Sequence, residues 1–218
     1  MADDLTRRPI RTRDTKWAAA IARWLAKVGL RPNHISLLSV VFGMLAGTAF
    51  VSVGWASSPL VRTLCYVLAA VGIQMRLLCN LFDGMVAVEG GFRTKSGEIY
   101  NELPDRFSDG FILAGAGYVG SSFACLPELG WLAAILAVTT AYVRALGAAA
   151  GAQQYFLGPM AKPHRMAVLT VAALASAVGE WFGLHGVLIA VAFGIIVIGC
   201  LVTIARRCTH IVRELEAK

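Results

Sequence analysis

Six long apolar runs are the feature that most constrains this chain. They fall near residues 35–56, 64–88, 107–124, 130–151, 166–183 and 186–205. The third span is expected to start before its apolar run, in the polar stretch from about Gly97. A helix needs about 20 apolar residues to cross a bilayer, and each run is close to that length. Over the whole chain 57% of the residues are hydrophobic and 15% are charged, which leaves almost no sequence for a soluble domain. The runs are continuous and do not alternate, so they predict an all-α integral membrane protein with six transmembrane helices and exclude a transmembrane barrel.

The basic residues indicate how such a bundle is oriented. If both termini lie on one side of the membrane, that side holds all but three of the 20 Lys and Arg residues. Arg62 lies on the opposite side, and Arg76 and Arg144 lie within or at the ends of spans. Because cytoplasmic loops carry the excess of Lys and Arg, both termini are expected in the cytoplasm, as in a protein of the bacterial inner membrane. The charge is spread over loops beside membrane helices, which disfavours nucleic acid as a partner.

These patterns divide the chain into three parts: a basic cytoplasmic N-terminus at residues 1–33, a six-helix membrane domain at 34–206 and a cytoplasmic tail at 207–218. Within the N-terminus, apolar residues recur at helical spacing at Trp17, Ile21, Trp24 and Val28. With basic residues elsewhere around the helix, this predicts an interfacial amphipathic helix on the cytoplasmic leaflet. A partly ordered basic leader is the alternative.

Polar side chains are concentrated where the second run ends and the third begins. One helix face carries Asn80, Asp83 and Ala87, and one face of the next helix carries Asn101, Asp105 and Asp109. A short connection makes the two helices antiparallel neighbours, so the polar faces are expected to meet near the cytoplasmic surface. Intramembrane carboxylates indicate a functional site, and such oxygen ligands suit Mg²⁺ or Mn²⁺. The alternative is that Glu98, Glu102 and Arg106 form solvated helix pairs and that Asp83 merely caps a helix or faces water.

The same residues resemble the signature of the CDP-alcohol phosphotransferase family, D-x-x-D-G-x-x-A-R, eight residues, G, three residues, D, three residues, D. The matching positions, aligned without a gap, are Asp83, Gly84, Ala87, Gly97 and Asp105. Asn80 and Asn101 stand where the family has aspartate, and Val88 stands where it has arginine. The segment Pro32-Asn33-His34-Ile35-Ser36 is similar to the one that opens the family's first span.

The resemblance implies a membrane enzyme that transfers a phosphatidyl or phospho-alcohol group from a CDP-linked lipid to an acceptor hydroxyl and releases CMP. In that family the first three aspartates hold a divalent metal pair, and the fourth is the general base on the acceptor. Carried over by position, Asn80, Asp83 and Asn101 are candidate metal or neighbouring positions. Asp105 is the candidate base and a further metal position, and Asp109 is a candidate replacement ligand. The metal implied is Mg²⁺ or Mn²⁺.

Two further sets of candidate residues accompany the resemblance. The candidate nucleotide-binding residues are Asn33, Gly84, Ala87, Arg93, Thr94 and Gly97. The link between the fourth and fifth runs resembles a basic segment of the family that meets an anionic acceptor such as a polyol phosphate. The candidate acceptor-binding residues are Arg144, Lys162 and Arg165. For Lys162 and Arg165 the alternative is ordinary positive charge of a cytoplasmic loop. Arg76 is expected to pair with a buried carboxylate or to reach lipid headgroups.

Three functions are consistent with these patterns. The first is a transferase of phospholipid synthesis that uses a donor such as CDP-diacylglycerol at a site facing the cytoplasm. The second, motivated by the two asparagines and the valine, is a relative that binds lipid or nucleotide without transfer. The third is a small transporter, which the confinement of polar residues to one end disfavours. The acceptor alcohol stays open. Gly43 and Gly47, at G-x-x-x-G spacing, permit close helix packing, and the family resemblance suggests a homodimer.

Overall fold

The computed structural model describes residues 15–92, 97–120 and 123–218. Within these ranges the chain forms seven α-helices, one short 3₁₀ turn and no strand. The helices are α1 (Lys16–Lys27), α2 (Pro32–Trp55), α3 (Pro59–Glu89), α4 (Gly97–Ala116), α5 (Leu126–Ala149), α6 (Lys162–Gly179) and α7 (Val187–Glu216). The 3₁₀ turn, Glu180–Phe182, follows α6 directly. The all-α prediction is confirmed.

Proline marks the start of four of the long helices. Pro32, Pro59, Pro127 and Pro163 lie within the first two positions of α2, α3, α5 and α6. A proline there removes an N–H group that has no partner inside the helix. The local sequence therefore sets where each of these helices begins.

Five of the described helices are long and apolar enough to cross a membrane: α2, α3, α5, α6 with its 3₁₀ turn, and α7. α4 is not among them, because acidic residues and Arg106 in its first half shorten its apolar stretch. It covers Gly97–Ala116. Its start confirms the prediction that the third span opens in the polar stretch from about Gly97, whereas its end lies before residue 124, where the apolar run ends. Length and composition thus support five of the six predicted spans.

α4 nevertheless lies within the bundle, where it packs against α2 and α5 and contacts α3. Two glycines of α2 make this approach close. A Cβ on Gly43 would lie 2.8 Å from the Cα of Ser108, and a Cβ on Gly47 would overlap the carbonyl oxygen of Phe111. The close packing predicted for this glycine pair is therefore found inside one chain, between α2 and α4.

The remaining helices complete a single apolar core. α5 packs on α7, α3 packs on α6, and α6 packs on α7. Phe50, Tyr66 and Phe193 are fully buried in this core. At one end of it, Arg62 lies 3.4 Å from the buried carboxylate of Glu180, so the single basic residue predicted on that side is paired.

The predicted amphipathic segment forms α1, which lies against α3. Ala18 and Ala22 are fully buried, and the Trp17 ring meets Phe82 edge to face at 6.3 Å. Trp24 is 61% exposed, as expected for a side chain that enters lipid. The position of α1 at the membrane surface stays a prediction.

We expect Gly47→Ala to lower the thermal stability of the purified protein, because the added methyl group overlaps the Phe111 backbone and forces α2 and α4 apart. The control is Gly194→Ala in α7, where a Cβ meets nothing within 4 Å and alanine is the better helix former by about 1 kcal/mol. Thermal unfolding in detergent measures both variants. Equal stability of the two would contradict the packing of α2 on α4.

Candidate active site

Asp83 lies near the C-terminal end of α3 and is only 4% exposed. Its carboxylate accepts a hydrogen bond from the hydroxyl of Ser36, with 2.8 Å between Oγ and Oδ2. It also accepts one from the backbone N–H of Gly84, which lies 2.6 Å from Oδ1. Ser36 stands one turn after Pro32, which begins α2, so the start of α2 fixes this carboxylate. The alternative that Asp83 faces water is wrong.

Asp105 and Asp109 lie one turn apart on α4 and are 3% and 1% exposed. The fully buried Arg76 of α3 reaches both of them. Its Nη2 is 3.3 Å from Oδ1 of Asp105 and 2.5 Å from Oδ1 of Asp109, and it also donates to the carbonyl oxygen of Asp105. The prediction that Arg76 pairs with a buried carboxylate is confirmed.

The first turn of α6 brings two more cations to the same aspartates. The ammonium group of Lys162 donates to Oδ2 of Asp105, and Nη2 of Arg165 is 3.1 Å from Oδ2 of Asp109. Arg165 also donates from Nη1 to the carbonyl oxygen of Met160 at 2.9 Å. The two residues predicted to bind an acceptor therefore contact carboxylates of α4, and their contact with an acceptor stays a prediction.

Asp105 and Asp109 of α4 thus form ion pairs with three cations where α3, α4 and α6 converge. These cations are Arg76, Lys162 and Arg165, and Nη2 of Arg106 lies 3.9 Å from Oδ2 of Asp105. Asp83 is buried on the neighbouring helix α3. An unpaired charge is costly to bury, so the three cations allow α4 to carry its aspartates into the bundle.

Arg144, the third predicted acceptor-binding residue, lies beside this cluster. Its Nη2 is 2.7 Å from Oε1 of Glu102, and the other oxygen of Glu102 pairs with Arg106 at 3.0 Å. Nη1 of Arg144 donates to Gln154 at 3.1 Å, and the guanidinium group lies over the ring of Phe156. Arg144 therefore ties α5 to α4 and to the segment that follows α5, and the Glu102–Arg106 helix pair is present.

The two asparagines of the motif differ in burial. Asn80 is half-buried one turn before Asp83, and its amide nitrogen is buried without an acceptor among the described residues. Asn101 is exposed near the start of α4. The predicted nucleotide-binding residues that the structure describes are all half-buried: Asn33, Gly84, Ala87 and Gly97. Arg93 and Thr94 lie outside the described residues.

A hard cation fits beside Asp83 better than beside the aspartates of α4. Asp83 accepts from two neutral donors, whereas Asp105 and Asp109 are in direct contact with ammonium or guanidinium groups. In the described ranges no three His, Cys, Asp or Glu side chains lie close enough to hold a metal. A cation beside Asp83 would therefore need amide oxygens as further ligands, and Asn80 stands on the same helix face as Asp83.

Two residues of the site were not assigned by sequence reasoning. Ser36 belongs to the segment that resembles the family's first span, and the Pro-Asn-x-x-Ser pattern was the available signal. Thr140 of α5 accepts a hydrogen bond from Nη1 of Arg165 at 3.2 Å, and nothing in its local sequence distinguishes it from a threonine that faces lipid. Such a role is visible only after α5 and α6 have been placed side by side.

Comparison with known sequences identifies two relatives, although no family model matches the chain. "Inner membrane protein YnbA" of Escherichia coli K12 is 26% identical over 170 residues, which are 78% of this chain and 80% of that protein. The phosphatidylinositol phosphate synthase of Streptomyces avermitilis is 26% identical over 208 residues, which are 92% of this chain and 80% of the synthase. The similarity therefore extends over most of each protein.

Solved structures of the phosphatidylinositol phosphate synthase of Mycobacterium tuberculosis have the same fold. The structure with CDP-DAG bound superposes with a TM-score of 0.73 at 20% identity, over 90% of this chain and 94% of that chain. The complex with manganese and citrate gives a TM-score of 0.72 at 20% identity, over 89% of this chain and 88% of that chain. Identity this low establishes the fold alone.

We expect Asp109→Ala to destabilise the protein by about 3–5 kcal/mol, because it leaves the guanidinium groups of Arg76 and Arg165 buried without their shared partner. The control is Glu128→Gln, at an exposed position in the first turn of α5. Unfolding in detergent by denaturant measures both variants.

The double variant Asp109→Ala with Arg165→Met separates charge from packing. It should lose less stability than the two single variants added together, since each charge is removed with its partner. Additive losses would show that the Asp109–Arg165 contact does not stabilise the fold.

Proposed function

We propose, from the confirmed resemblance of this chain to the CDP-alcohol phosphotransferase family, that it is a phosphatidyltransferase of phospholipid synthesis. The donor is a CDP-linked lipid such as CDP-diacylglycerol, the acceptor is an alcohol, and CMP is released. The observation that carries the proposal is the burial of two carboxylates, Asp83 near the end of α3 and Asp105 on α4, at the spacing of the family's motif. The named relative and the fold shared with a CDP-DAG-bound synthase support it.

The reaction brings the negatively charged diphosphate of the donor and the neutral hydroxyl of the acceptor to this site. The acceptor oxygen forms a bond to the phosphorus that carries the lipid, the bond from that phosphorus to CMP breaks, and CMP leaves with the bonding electrons. Asp105 is the group that takes the hydroxyl proton. Arg76 and Lys162 contact its two carboxylate oxygens, so they hold the carboxylate in a fixed orientation.

The cations at the start of α6 have different roles in this proposal. Lys162 has a side chain that is 21% exposed, so it is able to meet an acceptor that carries a phosphate while staying next to Asp105. Arg165 is 1% exposed and pairs with Asp109, so it stabilises the acceptor side of the site from its buried side. Arg144 lies at the edge of the cluster, on Glu102, where it meets the acceptor as it enters.

We assign a divalent cation, Mg²⁺ or Mn²⁺, to Asp83 with the amide oxygens of Asn80 and Asn101. When bound, it supplies positive charge to the donor diphosphate. Asp109 is left out of this set because both of its oxygens accept from guanidinium groups. On the nucleotide side, Asn33, Gly84, Ala87 and Gly97 border the same ends of α2, α3 and α4, and Arg93 and Thr94 follow in the connection between α3 and α4.

The topology proposed for the protein has six spans, with α4 as the third. α4 has 20 residues, or about 30 Å of helix, and its second half is buried among α2 and α5. Six crossings put both termini on one side, and the excess of Lys and Arg assigns that side to the cytoplasm. The protein is then an inner-membrane protein whose site faces the cytoplasm, and a homodimer is the assembly that we propose.

One observation favours a second candidate, a protein that binds the CDP-linked lipid without transferring it. Asp105 is in direct contact with Lys162 and Arg76, so both of its carboxylate oxygens are already bound by cations of the protein. Asn80 and Asn101 also remove two carboxylates at positions where the family has them. The experiments below distinguish binding from transfer.

Purified protein in lipid nanodiscs is expected to release CMP from CDP-diacylglycerol when supplied with Mg²⁺ or Mn²⁺ and one of a panel of acceptors: glycerol 3-phosphate, inositol phosphate, serine or a phospholipid. Asp105→Asn should abolish release by removing the base while keeping the volume, and a chelator should abolish it by removing the cation. Glu128→Gln, on an exposed turn, is the control and should keep full activity. Binding of CDP-diacylglycerol without release of CMP for any acceptor would favour the second candidate.

The variant Asn80→Asp with Asn101→Asp tests what the asparagines do. If the chain is an active transferase whose site works with little negative charge, the two added carboxylates should lower kcat or leave it unchanged. They would disturb the charge balance between the carboxylates and Arg76, Lys162 and Arg165. In a chain that has lost the chemistry, they should raise CMP release above the parent. Measured rates for both proteins decide between these outcomes.

A further inference from the structure

The C-terminal part of α7 forms hydrogen bonds to the segment between α5 and α6. The residues predicted to be a cytoplasmic tail, 207–218, continue α7 as far as Glu216. They lie along residues 150–161, which are named here the α5–α6 link and which contain no helix or strand. The link is followed directly by Lys162, the first residue of α6, which is in contact with Asp105.

Arg207 is the central contact between α7 and the link. It is 4% exposed, its Nε donates to the carbonyl oxygen of Leu157 at 2.9 Å, and its Nη1 donates to the carbonyl oxygen of Thr140 at 2.5 Å. Leu157 belongs to the link and Thr140 to α5. One guanidinium group therefore joins three parts of the chain.

Thr203, one turn before Arg207, holds the link at a second point. Its hydroxyl oxygen accepts from the backbone N–H of Met160 at 3.0 Å and donates to the carbonyl of Gly199. The link comes so close here that a Cβ on Gly158 would lie 2.5 Å from the Thr203 methyl group. Gly158 also has a φ of +114°, a conformation that side chains other than glycine rarely adopt.

The last turns of α7 hold the beginning of the link. The Glu214 carboxylate accepts from the backbone N–H of Gln153 at 3.0 and 3.2 Å, and the rings of Tyr155 and His210 lie 5.7 Å apart. Glu214 also accepts a hydrogen bond from the Tyr155 hydroxyl, which raises the pKa of that phenol. α7 thus contacts the link along most of its length, and Arg144 of α5 adds contacts to Gln154 and Phe156.

These contacts continue to the aspartates of α4 through Arg165. The Thr140 residue whose carbonyl binds Arg207 also binds Arg165 through its hydroxyl. The carbonyl of Met160, whose N–H is held by Thr203, accepts from Arg165 as well. Arg165 in turn pairs with Asp109. An unbroken set of polar contacts therefore runs from α7 to the active-site helix.

We propose that Arg207 is a positioning residue for the acceptor side of the site: it holds the α5–α6 link against α7 so that Lys162 and Arg165 enter α6 in reach of Asp105 and Asp109. A connection of twelve residues without secondary structure has many conformations. The backbone groups that Arg207 and Thr203 bind select one of them. Because Lys162 follows the link directly, a shift of the link shifts the cation next to the proposed base. This role for Arg207 rests on the proposed transferase function.

The test uses the full chain in nanodiscs with four variants. Arg207→Gln removes the guanidinium group, Arg207→Lys keeps the charge but not the paired donors, and Thr203→Val removes the acceptor for the Met160 N–H. Arg206→Gln is the matched control, because Arg206 is the exposed neighbour of Arg207 with the same charge. Hydrogen exchange of the link amides and steady-state kinetics with CDP-diacylglycerol are measured for each, using the acceptor that gives the fastest CMP release.

Arg207→Gln should speed exchange in the link without changing exchange in α2 and α3. It should also lower kcat/KM for the acceptor by about tenfold to hundredfold, with the KM for CDP-diacylglycerol unchanged. Thr203→Val should speed exchange at Met160, Arg207→Lys should fall between Arg207→Gln and the parent, and Arg206→Gln should match the parent. Loss of active protein with both KM values unchanged would show a merely structural role and overturn the proposal.

The outcomes keep the two proposals apart. Suppose that the parent releases CMP but that neither Arg207→Gln nor Thr203→Val changes hydrogen exchange of the link amides. The proposal that α7 holds the link is then wrong, and the proposed transferase function is unaffected. If the parent releases no CMP with any acceptor, the transferase is wrong, and the positioning role proposed for Arg207 falls with it. Exchange in the link then still shows whether α7 holds it.

Discussion

The pairing of Asp109 with two buried arginines is the interaction on which the rest of the structure depends. Arg76 comes from α3, Arg165 comes from α6, and each guanidinium group binds a different oxygen of the same carboxylate. Three helices are joined at one point where none of the three charges is tolerable alone. The direction of α4 in the bundle and the distance of α6 from α3 follow from this contact, and so does the position of Asp105, one turn away on the same face of α4.

α4 shows how a membrane bundle can contain a polar helix. Its aspartates face cations that are supplied by its neighbours, and glycines at Gly43, Gly47 and Gly115 let α2 and α4 approach until their backbones touch. Close approach of backbones is a common means of helix association in membranes. The polar face of α4 is thereby enclosed by protein and its other face is free to be apolar. The helix is poor in hydropathy because it carries the site.

The sequence was informative wherever a property was local. The amphipathic character of α1 and the placement of Asp105 and Asp109 on one face of α4 both follow from spacing. The buried partner of Arg76 was also foreseeable, because an arginine inside an apolar run needs one. The contacts of Arg207 with Leu157 and Thr140 were not foreseeable, because they join residues 50 and 67 positions apart. No local pattern marks Arg207 or Thr140. The start of α4 near Gly97 was predicted, whereas its end at Ala116 was not, because the apolar run continues to residue 124.

The asparagines and the cations of the site are two parts of one charge balance. Aspartate at these positions would add two carboxylates, one at the half-buried position 80 and one at the exposed position 101. With asparagine there, the aspartates of α4 are paired with Arg76, Lys162 and Arg165, and Arg106 lies 3.9 Å from Asp105. In the proposed reaction, the donor diphosphate therefore approaches a site with two fewer negative charges. Its repulsion by the protein is smaller, and less positive charge has to come from metal ions. Replacing two aspartates thus changes how the site is charged without removing Asp83 or Asp105, the two carboxylates on which the proposed chemistry depends.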